Sequence, residues 1–356
     1  MNFNAPPPLT FAAKILAWFD QHGRKDLPWQ HNPTAYRVWV SEIMLQQTQV
    51  STVIPYYERF MQRFPDLLSL ADAPLDDVLK HWEGLGYYTR ARNLHKTAQF
   101  VRDHYNGIFP IELEQVEALS GIGRSTAGAI LSLSHNQRHA ILDGNVKRVL
   151  ARYHAVATPT HEPRTLQQLW TYAEQHLPTE RYNDYTQAMM DMGATLCTRS
   201  KPACLLCPIQ DGCQAFKQGN PTAYPVKKPS KTNPEKTRVG LLLRNAAGEI
   251  LLLQRPTTGV WGGLWSFPEF DDLAALQAWL AEQFDTALTA HLITNQTHTF
   301  SHYTLNLPLY GATAQNFSLS RVMEGSNLLW YKAGTRMDGG LSAAVRQFLA
   351  KIHDSI

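Results

Sequence analysis

The stretch Leu119-Ser-Gly-Ile-Gly-Arg-Ser-Thr-Ala127 decides how the first two thirds of this chain are read. Apolar residues at helical spacing precede it (Val116, Leu119) and follow it (Ala127, Ile130, Leu131). It therefore joins two helices by a tight turn that holds two glycines. Glycines at 121 and 123 permit positive φ and leave backbone N–H groups free at the start of the second helix, where an anion can sit. On a nucleic acid that anion is a backbone phosphate, a contact that positions the partner without reading its sequence. A G-x-G turn alone is equally a plain structural joint.

Working outward, Ile141-Leu-Asp-Gly-Asn-Val-Lys-Arg148 follows, with Asp143 just ahead of a short amphipathic helix (Val146, Val149, Leu150). An Asp there is an ordinary N-cap. The apolar approach through Ile141 and Leu142, however, suggests a carboxylate led into a buried place. Lys147, one turn on, reads as a solvated i+4 partner. Upstream, Val38-Trp-Val-Ser-Glu-Ile-Met-Leu45 sets Glu42 among apolar neighbours. Such a carboxyl is either at the exposed edge of an amphipathic helix or desolvated, and desolvation would make it a proton donor near neutrality. The amide-rich run Gln46-Gln-Thr-Gln49 is odd for a helix entering a core, and suits contact with base edges or space left in a duplex.

All four cysteines fall within 17 residues as C-x6-C-x2-C-x5-C: Cys197, Cys204, Cys207 and Cys213. A disulfide framework does not suit a long chain with no other cysteine. Structural zinc usually shows two C-x-x-C pairs, and only one is present here, so the run suits an iron–sulfur cluster better than zinc. Arg199 and Lys201, between the first two cysteines, are either ordinary solvated charges or a presentation of cations to phosphate.

The remaining sequence sets the frame. A length of 356 residues predicts about two domains, and 44% apolar with 18% charged residues is globular. The net charge of +3 is too mild to argue for nucleic acid by itself. No run of 18 apolar residues exists to span a membrane, and Met1–Leu9 lacks the positive charge of a secretory leader, so an intracellular protein is expected. Helical spacing dominates from Phe11 to Lys217, broken at Phe64-Pro-Asp66 and Ala73-Pro74. Lys217 to Lys236 holds five lysines and four prolines and reads as a linker. Beyond it, Val239–Leu243 and Ile250–Leu253 flank a hairpin turn at Asn245-Ala-Ala-Gly248. Leu273, Leu276, Trp279, Leu280 and Phe284 share one helical face, Thr297–Leu309 is β-rich, and Leu341–Ile352 closes as a helix. The expected domains are 1–216 (all-α), 217–236 (linker) and 237–356 (α+β).

These signals converge on a resemblance. The helix–turn–helix with its later Asp and closing cysteine run is similar to the helix-hairpin-helix DNA glycosylase superfamily. Trp39-Val-Ser-Glu-Ile-Met-Leu-Gln-Gln-Thr-Gln49, Gly84-Leu-Gly-Tyr-Tyr88 and Gln187-Ala-Met-Met-Asp-Met-Gly193 resemble, more narrowly, the MutY-type adenine DNA glycosylases. The resemblance is strong over 11–215 and extends to the C-terminal part through Thr299-Phe-Ser-His302. It implies a monomeric, cytoplasmic, nucleoid-associated enzyme of base excision repair. This enzyme would remove adenine mispaired with 8-oxoguanine or guanine from double-stranded DNA, and would carry a [4Fe–4S] cluster on the four cysteines, in the loop 197–213.

The resemblance also implies roles. Glu42 protonates the base, Asp143 stabilises the sugar cation, and Asn145 holds the reacting centre. Trp29 and Gln187 line the adenine pocket, and Gln47 and Tyr87 insert beside the damaged guanine. Gly121, Gly123, Arg199 and Lys201 hold DNA, and Phe300, Ser301 and His302 read 8-oxoguanine. Relatives that nick the strand carry a Lys where Ser125 stands, so a monofunctional enzyme is expected. The C-terminal domain resembles a Nudix fold but lacks Gly-x5-Glu-x7-Arg-Glu-x2-Glu-Glu, so recognition rather than hydrolysis is expected of it. The competing readings are a glycosylase-lyase for oxidised pyrimidines, a non-catalytic cluster-bearing DNA sensor, and a nucleotide hydrolase.

Overall fold

The computed structural model describes residues 9–226, 233–256, 259–284, 288–300, 302–314, 327–335 and 340–353. Ser301 and the middle of the Lys/Pro-rich stretch lie outside these residues. The helices are α1 (Phe11–His22), α2 (Ala35–Leu45), α3 (Val50–Arg63), α4 (Leu67–Ala71), α5 (Leu75–His81), α6 (Thr89–His104), α7 (Leu113–Glu117), α8 (Arg124–His135), α9 (Gly144–Tyr153), α10 (Pro163–Gln175), α11 (Tyr182–Asp191) and α12 (Gln214–Lys217). The strands β1 (Glu235–Thr237), β2 (Val239–Asn245), β3 (Ile250–Gln254), β4 (Trp265–Ser266) and β5 (Glu269–Phe270) precede α13 (Leu273–Gln283). After it come β6 (His291–Thr299), β7 (Thr304–Ala314), β8 (Leu328–Tyr331) and α14 (Ala343–His353). The order is that of an all-α region followed by an α+β region, as expected.

Two compact units form: Met1–Ala73 with Arg92–Pro229, and Pro74–Ala91 with Ser230–Ile356. In the first, side chains cap the helices where the sequence places hydroxyls and carboxylates. Thr10, Thr34 and Asp143 accept from the N–H groups of Ala13, Arg37 and Val146. One apolar core joins Ile15 and Phe19 of α1 to Leu142, Val149 and Leu150 around α9, and to Ala188 and Met192 at the end of α11. Cys197 and Cys207 pack against that core. The helix α2 lies on α8, and α8 on α11, so the glycine turn ahead of α8 and the Asp143 turn ahead of α9 are held by rigid elements. The run Gln46–Gln49 is not helical. It turns the chain from α2 into α3, and its polar groups are thereby kept out of the core.

In the second unit, the sheet runs β1-β7-β2-β3-β4, with β6 on β7, β8 on β3 and β5 on β2. The expected hairpin is present: Asn245 Oδ1 accepts from the N–H groups of Ala247 and Glu249, and Gly248 takes φ +78°. The β-rich stretch pairs as a second antiparallel ladder, β6 on β7, and where the two strands end Phe300 N–H donates to the carbonyl of Tyr303. β2 and β7 are parallel, Leu241 opposite Tyr310.

The units depart from the expected domain limits. Pro74–Ala91 groups with the C-terminal sheet instead of the helices that flank it in sequence. Leu79 is buried where it meets the backbone at Gly263 and Gly340, Gln254 donates to Asp76 (3.2 Å), and Arg346 pairs with Glu83. An amphipathic pattern shows that Val78 and Leu79 need a partner surface but does not say which one. Likewise the stretch 217–236 is partly structured: Pro221–Ala223 makes a helical turn and β1 begins at Glu235.

Candidate active site

A cavity of about 550 Å3 opens in the helical unit, within the range of small-molecule pockets (about 300–1,000 Å3). Glu42 comes to it from α2, Ser125 from the start of α8, and Asp143 and Asn145 from the turn into α9. Gln187 comes from α11, and Trp29 from the short turn Pro28–Gln30. Residues distant in sequence thus share one wall, and all of these are expected site residues or the subclass-marking Ser125. Trp29 is buried and held edge-on to Tyr57 (centroids 5.4 Å).

Glu42 is half-buried at the cavity wall, and desolvation there pushes its carboxyl up to about 8, with the charge of Asp143 adding to the rise. Burial also pushes Asp143 up, but donors oppose it. Val146 N–H donates to Asp143 Oδ1 (2.7 Å), Asn145 Nδ2 donates to Oδ2 (3.2 Å), and the Arg148 charge favours the anion. Asp143 is therefore both the N-cap of α9 and a carboxylate presented to the cavity. The cap reading and the site reading hold together because one oxygen serves each use.

Three residues the sequence reading did not single out support this turn. Arg148 Nη2 donates to Asn145 Oδ1 (2.8 Å) and to the carbonyl of Gly193 (2.5 Å), while its Nε donates to the carbonyl of Cys197 (2.8 Å). Arg152, one turn on and 2% exposed, donates to Cys197 Sγ (3.2 Å) and to the carbonyl of Thr198 (2.7 Å). Asp191, fully buried, accepts from Gln187 Nε2 (2.7 Å), from Arg24 N (2.7 Å), and from Arg24 Nε and Nη2 (2.8 and 2.6 Å). The available signals were the i, i+4 spacing of each pair and an acid set among methionines. Gly193 lies in a π-helical turn, Met192–Leu196, and a Cβ there would stand 2.5 Å from Asn145 Cβ. Only glycine lets the cysteine-bearing segment cross the Asp143 turn this closely.

The four cysteines line one apolar cavity. Burial pushes the thiols of Cys204 and Cys213 up, and that of Cys207 to about 12. Thiolates become stable there only beside added positive charge, which metal supplies, and the Arg152 charge already favours the anionic form of Cys204. Arg199 and Lys201 are both exposed at the surface, while their carbonyls are tied inward to Arg152 and Thr198.

The turn glycines differ from expectation in one respect. Gly121 takes φ +82°, and a Cβ there would meet Asn93 at 2.9 Å, whereas Gly123 is extended (φ −105°) and serves as the side-chain-free cap of α8. Gln47 and Tyr87 are exposed and left-handed (φ 58° and 51°), a strain that non-glycine residues seldom hold. In the C-terminal unit, Phe300 meets Trp261 edge-on (5.4 Å) and Tyr303 (5.2 Å), and His302 is exposed beside Tyr303.

Comparison with known proteins agrees with this layout. The family described as HhH-GPD superfamily base excision DNA repair protein matches residues 40–175. The iron–sulfur binding domain of endonuclease III matches 197–213, and a NUDIX domain matches 239–351. An adenine DNA glycosylase of Buchnera aphidicola (subsp. Acyrthosiphon pisum) is 38% identical over 97% of this chain and 98% of that protein. The human adenine DNA glycosylase is 35% identical over 85% of this chain and 66% of its own length. A thermostable thymine-DNA glycosylase structure covers 58% of this chain, and 95% of its own, with TM-score 0.54 at 26% identity. Among the described residues no helix is long and apolar enough to cross a membrane. The chain is a DNA glycosylase and belongs to the adenine DNA glycosylase family of base excision repair.

Proposed function

We propose that this enzyme removes adenine paired with 8-oxoguanine or guanine in duplex DNA, by hydrolysis of the glycosidic bond and without cutting the strand. One observation carries the reading: two half-buried carboxyls face one cavity, Glu42 raised to about 8 by desolvation and by the charge of Asp143, and Asp143 held by three N–H or cationic partners. Such a pair divides acid and anion roles between two like groups.

The adenine must leave the stack, which costs a few kcal/mol, and the cavity between Trp29 and Gln187 receives it. Glu42, neutral at pH 7, gives its proton to a ring nitrogen. The C1′–N bond then breaks with its electron pair going to the base, and adenine leaves uncharged. Asp143 faces the resulting sugar cation, as counter-charge or transient nucleophile, and Asn145 holds its carboxylate in place. Water completes C1′, and its proton returns to Glu42. No residue lining the cavity is a lysine, Lys147 included, and the Ser125 hydroxyl accepts from Leu142 N–H (2.9 Å), so no amine is at hand for a Schiff base.

The first turn of α8 and the surface cations Arg199 and Lys201 suit phosphate contacts, and strained Gln47 and Tyr87 suit insertion into the duplex. Cys197, Cys204, Cys207 and Cys213 would hold a [4Fe–4S] cluster, which when bound supplies four metal–thiolate bonds closing residues 197–213 into one loop. The NUDIX domain reads the lesion through Phe300 and His302. Its helix α13 carries one carboxylate, Glu282, where a Mg2+ hydrolase needs a cluster. The enzyme acts as a single chain on DNA inside the cell. The test is an excision assay on A:8-oxoguanine, A:G and A:T duplexes, with alkali added afterwards. Base loss from the first two that breaks the strand only after alkali is expected. Cleavage before alkali, or no base loss, would overturn the proposal.

A further inference from the structure

Gln187 and Asp191 lie one turn apart on α11 and share a face. Arg24 clamps Asp191 through its backbone N–H and the Nε and Nη2 of its guanidinium, so this buried carboxylate has a fixed position. A carboxylate only accepts hydrogen bonds, so a neighbouring amide can satisfy it only with an N–H. Gln187 does so from Nε2 at 2.7 Å. Its amide cannot turn over without setting oxygen against oxygen. Among the described residues no donor pairs with Gln187 Oε1, and Gln187 lines the cavity. The carbonyl end of the amide is thus what remains for a ligand.

We propose that Asp191, held by Arg24, is a positioning residue that selects 6-amino over 6-oxo purines by fixing Gln187 as a hydrogen-bond acceptor toward the extrahelical base. This rests on the reading of the cavity as the adenine pocket. Adenine presents one exocyclic donor, its 6-amino group, which an acceptor matches. Hypoxanthine presents a carbonyl at that position, and two buried oxygens would then face each other unpaired. Sites built on such a hydrogen bond discriminate far more sharply than shape does. A purely structural Arg24–Asp191 ion pair would alter stability and leave base choice unmoved.

The experiment compares single-turnover excision of adenine and of hypoxanthine opposite 8-oxoguanine by the full, cluster-bearing chain and its Asp191→Asn and Asp191→Glu variants. Asn can donate to Gln187 and let the amide reverse, so the adenine preference is expected to fall about ten-fold or more. Glu keeps an acceptor and is expected to retain most of it. An unchanged ratio in Asp191→Asn, with adenine still excised, overturns this inference and leaves the adenine reading intact. Failure of the wild-type chain to excise either base overturns both. Should Asp191→Asn not fold, wild-type affinity for duplexes with non-cleavable 2′-fluoro adenosine or inosine decides. At least about ten-fold tighter binding of the adenosine analogue supports the inference, and equal affinity overturns it.

Discussion

In the helical unit, Asp143 is held by a backbone N–H, by Asn145, and through Asn145 by Arg148, which also grips the carbonyls of Gly193 and Cys197. In the C-terminal unit, Phe300 is held by two ring contacts, Trp261 and Tyr303, with Asn233 donating to its carbonyl. The first arrangement is polar throughout; the second is mainly apolar. A buried carboxylate loses its hydration and must have every lone pair answered, so its supports are directional and numerous. An aromatic ring that stacks on a base needs area and a firm backing, which other rings supply. The difference teaches where each unit can be damaged without the other noticing.

The contrast is most exposed to test at Glu42. Glu42→Gln keeps the shape and removes the proton, so single-turnover adenine excision is expected to fall by roughly 10²–10⁴, while affinity for the mispaired duplex and preference for 8-oxoguanine hold. A shift in preference would show the two regions are not separable. Asp143 divides further. Asparagine still caps α9, so Asp143→Asn should cost about 10²-fold or more in rate with little change in Tm, whereas Asp143→Ala should lose about 1 kcal/mol of stability besides.

The opposite lesion sharpens the contrast. Phe300→Ala should weaken binding opposite 8-oxoguanine by about 1–3 kcal/mol, leave the excision rate of bound duplex near wild type, and show in the A:8-oxoguanine to A:G affinity ratio. Replacing Arg199 and Lys201 by Ala should lower the slope of log affinity against log salt by about one for each phosphate no longer neutralised, equally for all duplexes.

The smallest effect is on pH dependence of stability. Burial raises Glu42 above its ordinary 4.5, so the folded chain binds that proton more tightly than the unfolded one. The resulting stability is complete below about 4.5 and is lost as pH rises through about 8. Excision should decline over the same upper limb, and Glu42→Gln should melt higher than wild type under alkaline conditions, read by thermal scans in acidic, neutral and alkaline buffer.

How much of this is legible in the sequence follows from how local each signal is. The glycine turn, the Asp143 cap, the β2–β3 hairpin and the cysteine run depend on neighbours within a few residues, and each appears where its pattern places it. Gly121 and Gly123 look alike in the sequence and differ in the fold, because sequence does not tell a positive φ from a bare helix cap. Arg152 carries only its i, i+4 spacing to Arg148, which says nothing of what it holds, because its surroundings come from the segment beginning at Cys197, 45 residues away.

By itself, then, the sequence determined the helix-rich and strand-rich regions, the residue types needed for acid chemistry and metal binding, and the turns that carry them. These follow from periodicity, capping and φ preference, which act over one or two turns of chain. Only the tertiary structure decided that Glu42 and Asp143 share a cavity, that Gly193 lies against Asn145, and that Pro74–Ala91 packs with the C-terminal sheet. Those outcomes depend on which surfaces meet, and desolvation, which raises the Glu42 carboxyl, exists only after they have met.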